Sequence, residues 1–209
     1  MLKKIIFIAG PHGVGKTYTT NEIRKSMNIL HFDLGPMIRA IHKRSAPGLK
    51  LGDWIKIGER KYGPDFSNAV LCEEIKRLLS ENSPMALITG SRSVEGMQYI
   101  VNYFSIKNPV LIYLDADPSL LRKNYENREH LNISEENFNN LLLDEQKMGL
   151  LKLKEYALIH PSSAFYIINQ DNSPNTIKQI RNIIIGRQVI ARHGARIIPS
   201  IKKGKEHDK

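Results

Sequence analysis

Eight consecutive residues, Gly10-Pro11-His12-Gly13-Val14-Gly15-Lys16-Thr17, fit the pattern G-x-x-x-x-G-K-[ST]. Glycines in such a loop let backbone N–H groups turn inward around a β-phosphate with no Cβ in the way. Lys16 is the residue that bridges the β- and γ-phosphates, and the Thr17 hydroxyl is a ligand for Mg²⁺. The helix that follows, with Thr17 and Tyr18 in its first turn, aims its positive end at the anion. Gly10, Pro11, His12, Gly13, Val14, Gly15, Lys16, Thr17 and Tyr18 are therefore the candidate contacts for ATP. Within the loop, His12 can approach a phosphate or face solvent, and solvent is the expectation.

The loop alone does not separate kinases, switch GTPases and motor ATPases. A GTPase needs a guanine reader of the Asn-Lys-x-Asp type, and Asn169-Gln170-Asp171 lacks that pattern. A motor or AAA-type ATPase normally needs more chain than 209 residues. A small-molecule kinase needs mainly positioning and positive charge, because phosphoryl transfer asks little covalent chemistry of the protein. Candidates for that work stand where strands are expected to end. They are Asp33, Arg39 one to two turns later, Arg92 in a Gly-Ser-Arg turn, and Arg122 and Arg128 further on.

These residues need a scaffold, and the hydrophobic pattern supplies one. Apolar runs at residues 2–9, 29–33, 85–89, 110–115 and 164–169 read as strands. Helical patterns cover residues 17–27, 36–44, 51–60, 64–80 and 94–104. Asp117-Pro118 supplies an N-cap and a proline at the first helical position, so a helix is expected to about residue 128. Ser134 opens another, with Ile133, Phe138, Leu141, Leu142, Glu145 and Met148 three to four apart. Ser173-Pro174 caps the last. Strands alternating with helices predict an α/β layer fold with a mainly parallel five-stranded sheet. Ligands then gather at the carboxyl ends of the strands.

Composition agrees with one domain of ordinary globular usage, 41% hydrophobic and 25% charged. No apolar run approaches the roughly 20 residues of a membrane span. The apolar stretch after Lys3-Lys4 is short for a secretory signal, so the expected location is the cytoplasm. The single cysteine, Cys72, has no Cys or His at ligand spacing, which argues against a structural zinc. The net charge of +10 is uneven: residues 178–209 carry +7 and residues 1–177 carry +3. The chain therefore divides into a kinase-like domain over residues 1–185 and a basic tail over residues 186–209. The tail is either a solvated end or, through Arg187, Arg192, Arg196, Lys202, Lys203 and Lys205, a contact for nucleic acid. No aromatics interleave with those charges, which weakens the second reading.

Together, in order, the phosphate loop, Asp33-Leu34-Gly35-Pro36-Met37-Ile38-Arg39, Tyr62-Gly63-Pro64-Asp65, Gly90-Ser91-Arg92, Tyr113-Leu114-Asp115-Ala116 and Arg122/Arg128 resemble the nucleoside monophosphate kinase family, which includes adenylate and thymidylate kinases. Within it the chain most resembles predicted nucleotide kinases related to dephospho-coenzyme A kinase, over roughly residues 3–185. The resemblance implies a three-layer α/β/α core, ATP-Mg²⁺ as donor, and a nucleoside monophosphate or similar phosphate-bearing small molecule as acceptor. It implies an acceptor-binding helical insert over residues 35–80 and a lid over residues 120–150. Arg39 and Arg92 match positions that grip an acceptor phosphate. Arg122, and Arg128 with it, match the lid side near the donor phosphates. Asp33 matches a carboxylate facing the acceptor, which in dephospho-coenzyme A kinase accepts the hydroxyl proton. Asn169 follows the last strand, where such kinases place adenine contacts; a helix-entry turn is its other reading.

Two departures stand out. The third strand ends Ile88-Thr89-Gly90 where the family carries an acid, so Mg²⁺ would rely on Thr17, the phosphates and water. Asp33 and Asp115 are the candidate carboxylates, although Asp115 also reads as a plain strand-end residue. The lid region, residues 129–150, contains no arginine, so a short helical pair is expected. In the insert, Trp54 and Tyr62 read as core material, with stacking on an acceptor base as the alternative.

Overall fold

A computed structural model describes residues 2–79, 84–169 and 173–186. Five strands form one sheet: β1 (Lys4–Ala9), β2 (Leu30–Asp33), β3 (Met85–Thr89), β4 (Val110–Asp115) and β5 (Ala164–Ile168). Every pairing is parallel, in the order β2-β3-β1-β4-β5. The order reverses at β1, so a crevice opens beyond its carboxyl end. Register brings the strand ends level there: Ile8 pairs Thr89, Asp33 pairs Thr89, and Ala9 pairs Tyr113.

Helices cover both faces. One core contains Ile5, Phe7, Ile88, Leu111 and Tyr113 with Cys72, Ile75, Met97 and Leu153. The other contains Ile6, Ile8, Leu87, Ile112 and Leu114 with Ile23, Phe138, Ile180 and Ile184. Adjacent strand residues therefore serve opposite faces, and both faces are apolar because both are buried. This is the expected α/β/α layering.

α1 (Lys16–Arg24) follows β1 through the glycine-rich loop. Between β2 and β3 the chain inserts α2 (Leu34–Ser45), α3 (Leu51–Tyr62) and α4 (Phe66–Leu78). α5 (Val94–Tyr103) connects β3 to β4. α6 (Pro118–Glu129), α7 (Glu135–Glu145) and α8 (Leu151–Ile159) connect β4 to β5, and α9 (Pro174–Ile184) closes the described chain. Short polar side chains start several of them. Asp117 Oδ1 accepts from the Ser119 N–H at 2.9 Å, and Ser93 Oγ from the Gly96 N–H at 3.0 Å. Ser134 and Ser173 cap α7 and α9 the same way.

Two expectations change. The helix predicted from Ser134 does not run through Met148: it ends at Glu145, and a wide turn, Gln146–Leu150, with Gly149 at φ 107° leads into α8. In the insert, Trp54 is buried, with its ring 5.1 Å from Phe66, but Tyr62 is 67% exposed and stacks on Phe66 from outside. The basic-tail residues Arg187 to Lys205 lie outside the described residues.

Candidate active site

β1 delivers the loop to the centre of the crevice. Gly15, at φ 87°, is the N-cap of α1. Gly13, at φ 79°, lies so near α6 that a Cβ there would stand 2.0 Å from the Leu121 carbonyl oxygen. Two amides brace the loop: Asn124 Nδ2 donates to the Gly13 carbonyl at 2.9 Å, and Asn169 Nδ2 to the Val14 carbonyl at 2.7 Å. Gly13→Ala is expected to lower the melting temperature and weaken ATP binding together. The left-handed conformation alone costs an L-residue about 1–2 kcal/mol, and the obstacle is backbone, which cannot swing aside. Wild-type values in both measurements would contradict the close packing.

Lys16 Nζ donates to the carbonyls of Gly10 at 2.6 Å and Pro11 at 2.8 Å, folding back on its own loop. Sequestration there is the main reason its pKa falls to about 8. Glu145 and Asp33 oppose the fall, and Arg128 and Arg92 reinforce it. Lys16 thus feels four of the charged groups gathered round the loop. Thr17 is exposed in the first turn of α1, its hydroxyl without a partner among the described residues, and so open to a cation at the loop's mouth.

On the β2 side, Asp33 caps α2, its Oδ1 accepting from the Gly35 N–H at 3.3 Å. A Cβ at Gly90 would lie 3.0 Å from that same oxygen. The Arg39 guanidinium and the Asp33 carboxylate both come within 4 Å of one point beside Gly35. Asp33, Arg39 and the Gly90 backbone therefore lie close together. Arg39 has no acidic partner among the described residues, and Arg92 donates from Nη1 to Met148 Sδ at 2.8 Å. Thr89, standing where an acid was missed, meets His31 Nε2 through its hydroxyl at 2.9 Å.

The α6 arginines are tied to their neighbours. Arg122 lies 3.9 Å from Glu126 and 3.9 Å from Glu135. Arg128 bonds Glu129 at 2.7 Å and sits over the Tyr125 ring, yet its charge still reaches Lys16.

Three readings need correction. Asp115 is engaged: Oδ2 accepts from Lys154 Nζ at 2.7 Å and the Tyr166 hydroxyl at 2.6 Å, and Oδ1 from the Ala116 N–H at 3.0 Å. An ammonium already occupies the place a magnesium ion would take, so Asp115 joins β4, β5 and α8 instead. Among the described residues no group of three or more His, Cys, Asp or Glu side chains is placed to hold a metal. Asn169 is 2% exposed and supports the phosphate loop from below, leaving it no open face for an adenine ring. His12 faces Glu145 rather than solvent. Its backbone N–H donates to Glu145 Oε2 at 2.9 Å, and Nδ1 lies 2.5 Å from Oε1.

Glu145 is the residue that sequence reasoning missed. Burial pushes its carboxyl up, but the bonds from His12 and the charges of His12 and Lys16 outweigh that and hold it below the usual range. Its signal was an acid standing in an otherwise apolar helical stripe. Beside it, a cavity of about 280 Å³ opens between Pro11, Tyr113, Asp115, Leu142, Gln146 and Lys154. The larger open depression, along residues 21–29, holds none of these groups.

The loop, crevice and layering define a P-loop protein of the three-layer α/β/α class. Among solved structures, the fold matches a gluconokinase from Sinorhizobium meliloti 1021 with a TM-score of 0.53 at 11% identity. That match covers 88% of this chain and 97% of that one. A shikimate kinase from Acinetobacter baumannii in complex with shikimate gives 0.49 at 18% identity, over 89% and 94% of the two chains. The gluconokinase likeness supports the α/β fold alone. No protein-family model and no curated protein matches the sequence. Among the described residues no helix is long and apolar enough to cross a membrane.

Proposed function

We propose that the chain is an ATP-dependent phosphotransferase acting on a small anionic acceptor, in the first instance a nucleoside monophosphate. The observation that carries this reading is the placement of Arg39 and Arg92. They come from separate elements and lack acidic partners among the described residues; the Arg39 guanidinium lies near the Asp33 carboxylate, and the Arg92 charge reaches Lys16. Paired arginines are the side chains best suited to hold a phosphate by charge-assisted, forked hydrogen bonds. The nucleoside part of the reading rests on the resemblance of the motifs.

The loop amides and Lys16 would hold the donor phosphates. Lys16 has to leave the Gly10 and Pro11 carbonyls to do so. Magnesium, bound with the nucleotide, would neutralise the developing charge, and Thr17 is the residue open to hold it. Arg92 and Arg39 would fix the acceptor, and Arg128 would add positive charge beside Lys16, with Arg122 further along α6. No covalent intermediate on the protein is required.

Asp33 favours a second reading, transfer to a hydroxyl. Its carboxylate stands among the acceptor-side groups rather than paired to a cation. A carboxylate so placed can take the hydroxyl proton as general base, a role worth about 10²–10⁴-fold. Asp33→Asn separates the two readings. If the acceptor group is a hydroxyl, turnover falls by about 10²-fold or more with ATP affinity retained. If the acceptor group is a phosphate, which needs no base, turnover changes little. Steady-state kinetics alongside an ATP titration give the answer.

A further inference from the structure

One short segment grips both sides of the site. Glu145 ends α7 and is 6% exposed. A buried carboxylate needs partners; its Oε2 accepts from the His12 backbone N–H at 2.9 Å, and its Oε1 lies 2.5 Å from His12 Nδ1. An anion therefore already stands on the loop that is built to receive phosphates, and its charge reaches Lys16. Three residues on, Met148 Sδ accepts from Arg92 Nη1. Gly149 then crosses the Arg92 turn so closely that a Cβ would lie 2.7 Å from the Arg92 carbonyl oxygen. With φ at 107°, that position suits glycine alone. Residues 145–149 thus hold the donor loop at one end and the acceptor arginine at the other.

The geometry points to Glu145 as a positioning residue that couples the donor site to the acceptor site, the polyphosphate of ATP displacing its carboxylate from His12 and the turn behind it drawing Met148 off Arg92. The inference rests on the ATP-dependent reading above. A buried carboxylate and a polyphosphate on one loop repel strongly where the dielectric is low, so the carboxylate has to leave. The wide turn at Gln146–Leu150 is a place where α7 and α8 can swing without breaking a regular helical ladder. Arg92 is released only once ATP is seated, so ATP binds before the acceptor. By linkage, whatever weakens the hold on Arg92 must also favour ATP.

The test is calorimetric titration of Mg-ATP into the full chain, comparing wild type with Glu145→Gln, Glu145→Ala and Met148→Ala, each first checked by thermal melting. Glu145→Gln keeps the shape and still accepts from the His12 N–H but removes the competing charge, and is expected to bind ATP about tenfold tighter or better. Glu145→Ala should move the same way. Met148 is exposed and touches Arg92 rather than the donor loop, so its truncation should leave the fold intact. Met148→Ala should nonetheless tighten ATP about threefold, as reciprocal coupling requires. A residue with a purely structural role would weaken binding on removal, not strengthen it. Unchanged or weaker affinity in the Glu145 variants overturns the inference and leaves the kinase reading standing. Tightening there with no change in Met148→Ala overturns the coupling to Arg92. A wild type that does not bind ATP removes the kinase reading and this inference together.

Discussion

Replacing Lys16 by alanine should lower ATP-dependent phosphoryl transfer by about 10²–10³-fold or more, because a preorganised charge aimed at the transferring group is removed. The loss should appear in kcat as well as in ATP affinity, since the lysine acts where charge develops and not only where ATP docks. The fold should survive. Its N–H···O partners are two loop carbonyls, Gly10 and Pro11, that sit beside the open crevice. The pH dependence is a second signature of the same residue. With its pKa lowered to about 8, the ammonium is charged below that value and loses its proton above it. ATP affinity should therefore fall as pH rises through about 8. Near that pH, binding should take up a proton, because phosphates stabilise the charged form. Titration in two buffers of different ionisation enthalpy reads the proton directly. An affinity flat from pH 7 to about 9, with no proton uptake, would mean that Lys16 is not the donor's partner.

Arg92→Ala should raise the KM for the acceptor by about 10–100-fold, the worth of one or two charge-assisted hydrogen bonds. ATP affinity should hold or improve slightly, since Arg92 contributes to suppressing the charge on Lys16 and is also what Met148 holds. That opposite sign on the two substrates is specific to the assignment. A generally damaged site would lose both, and equal loss of ATP and acceptor would place Arg92 on the donor side. Arg39→Ala should likewise raise the acceptor KM, because its guanidinium reaches the Asp33 region from α2.

Much of the frame was legible in the sequence because it is written locally. Five apolar runs with turn residues between them gave the strands, and the register of a parallel sheet then had to bring residues 9, 33 and 89 to one edge. The phosphate loop announces itself through glycine spacing, which backbone geometry demands. Asp33, Arg39 and Arg92 stand out in the sequence because strand ends are where such a sheet keeps its ligands. What escaped depends on contacts distant in sequence. Asp115 looks like an available strand-end acid until Lys154 and Tyr166 arrive, 39 and 51 residues later, to occupy it. Asn169 looks like a loop residue until it is seen donating to Val14, 155 residues before it. Glu145 was counted as one more member of an amphipathic stripe, since periodicity records position and not partner. The stripe to Met148 outlasts α7, which ends at Glu145; the wide turn Gln146–Leu150 follows, and the positive φ of Gly149 turns the chain toward Arg92.

Phosphoryl transfer from ATP to a small acceptor is read out by a coupled ADP-release assay. Mg-ATP would be offered with each ribo- and deoxyribonucleoside monophosphate and with dephospho-coenzyme A, Lys16→Ala running beside the wild type. The predicted result is ADP release that appears with one acceptor or one class of acceptors and vanishes in the variant. Release independent of every acceptor, or none at all from a chain that binds ATP, would contradict the account and point to a regulatory ATP-binding protein.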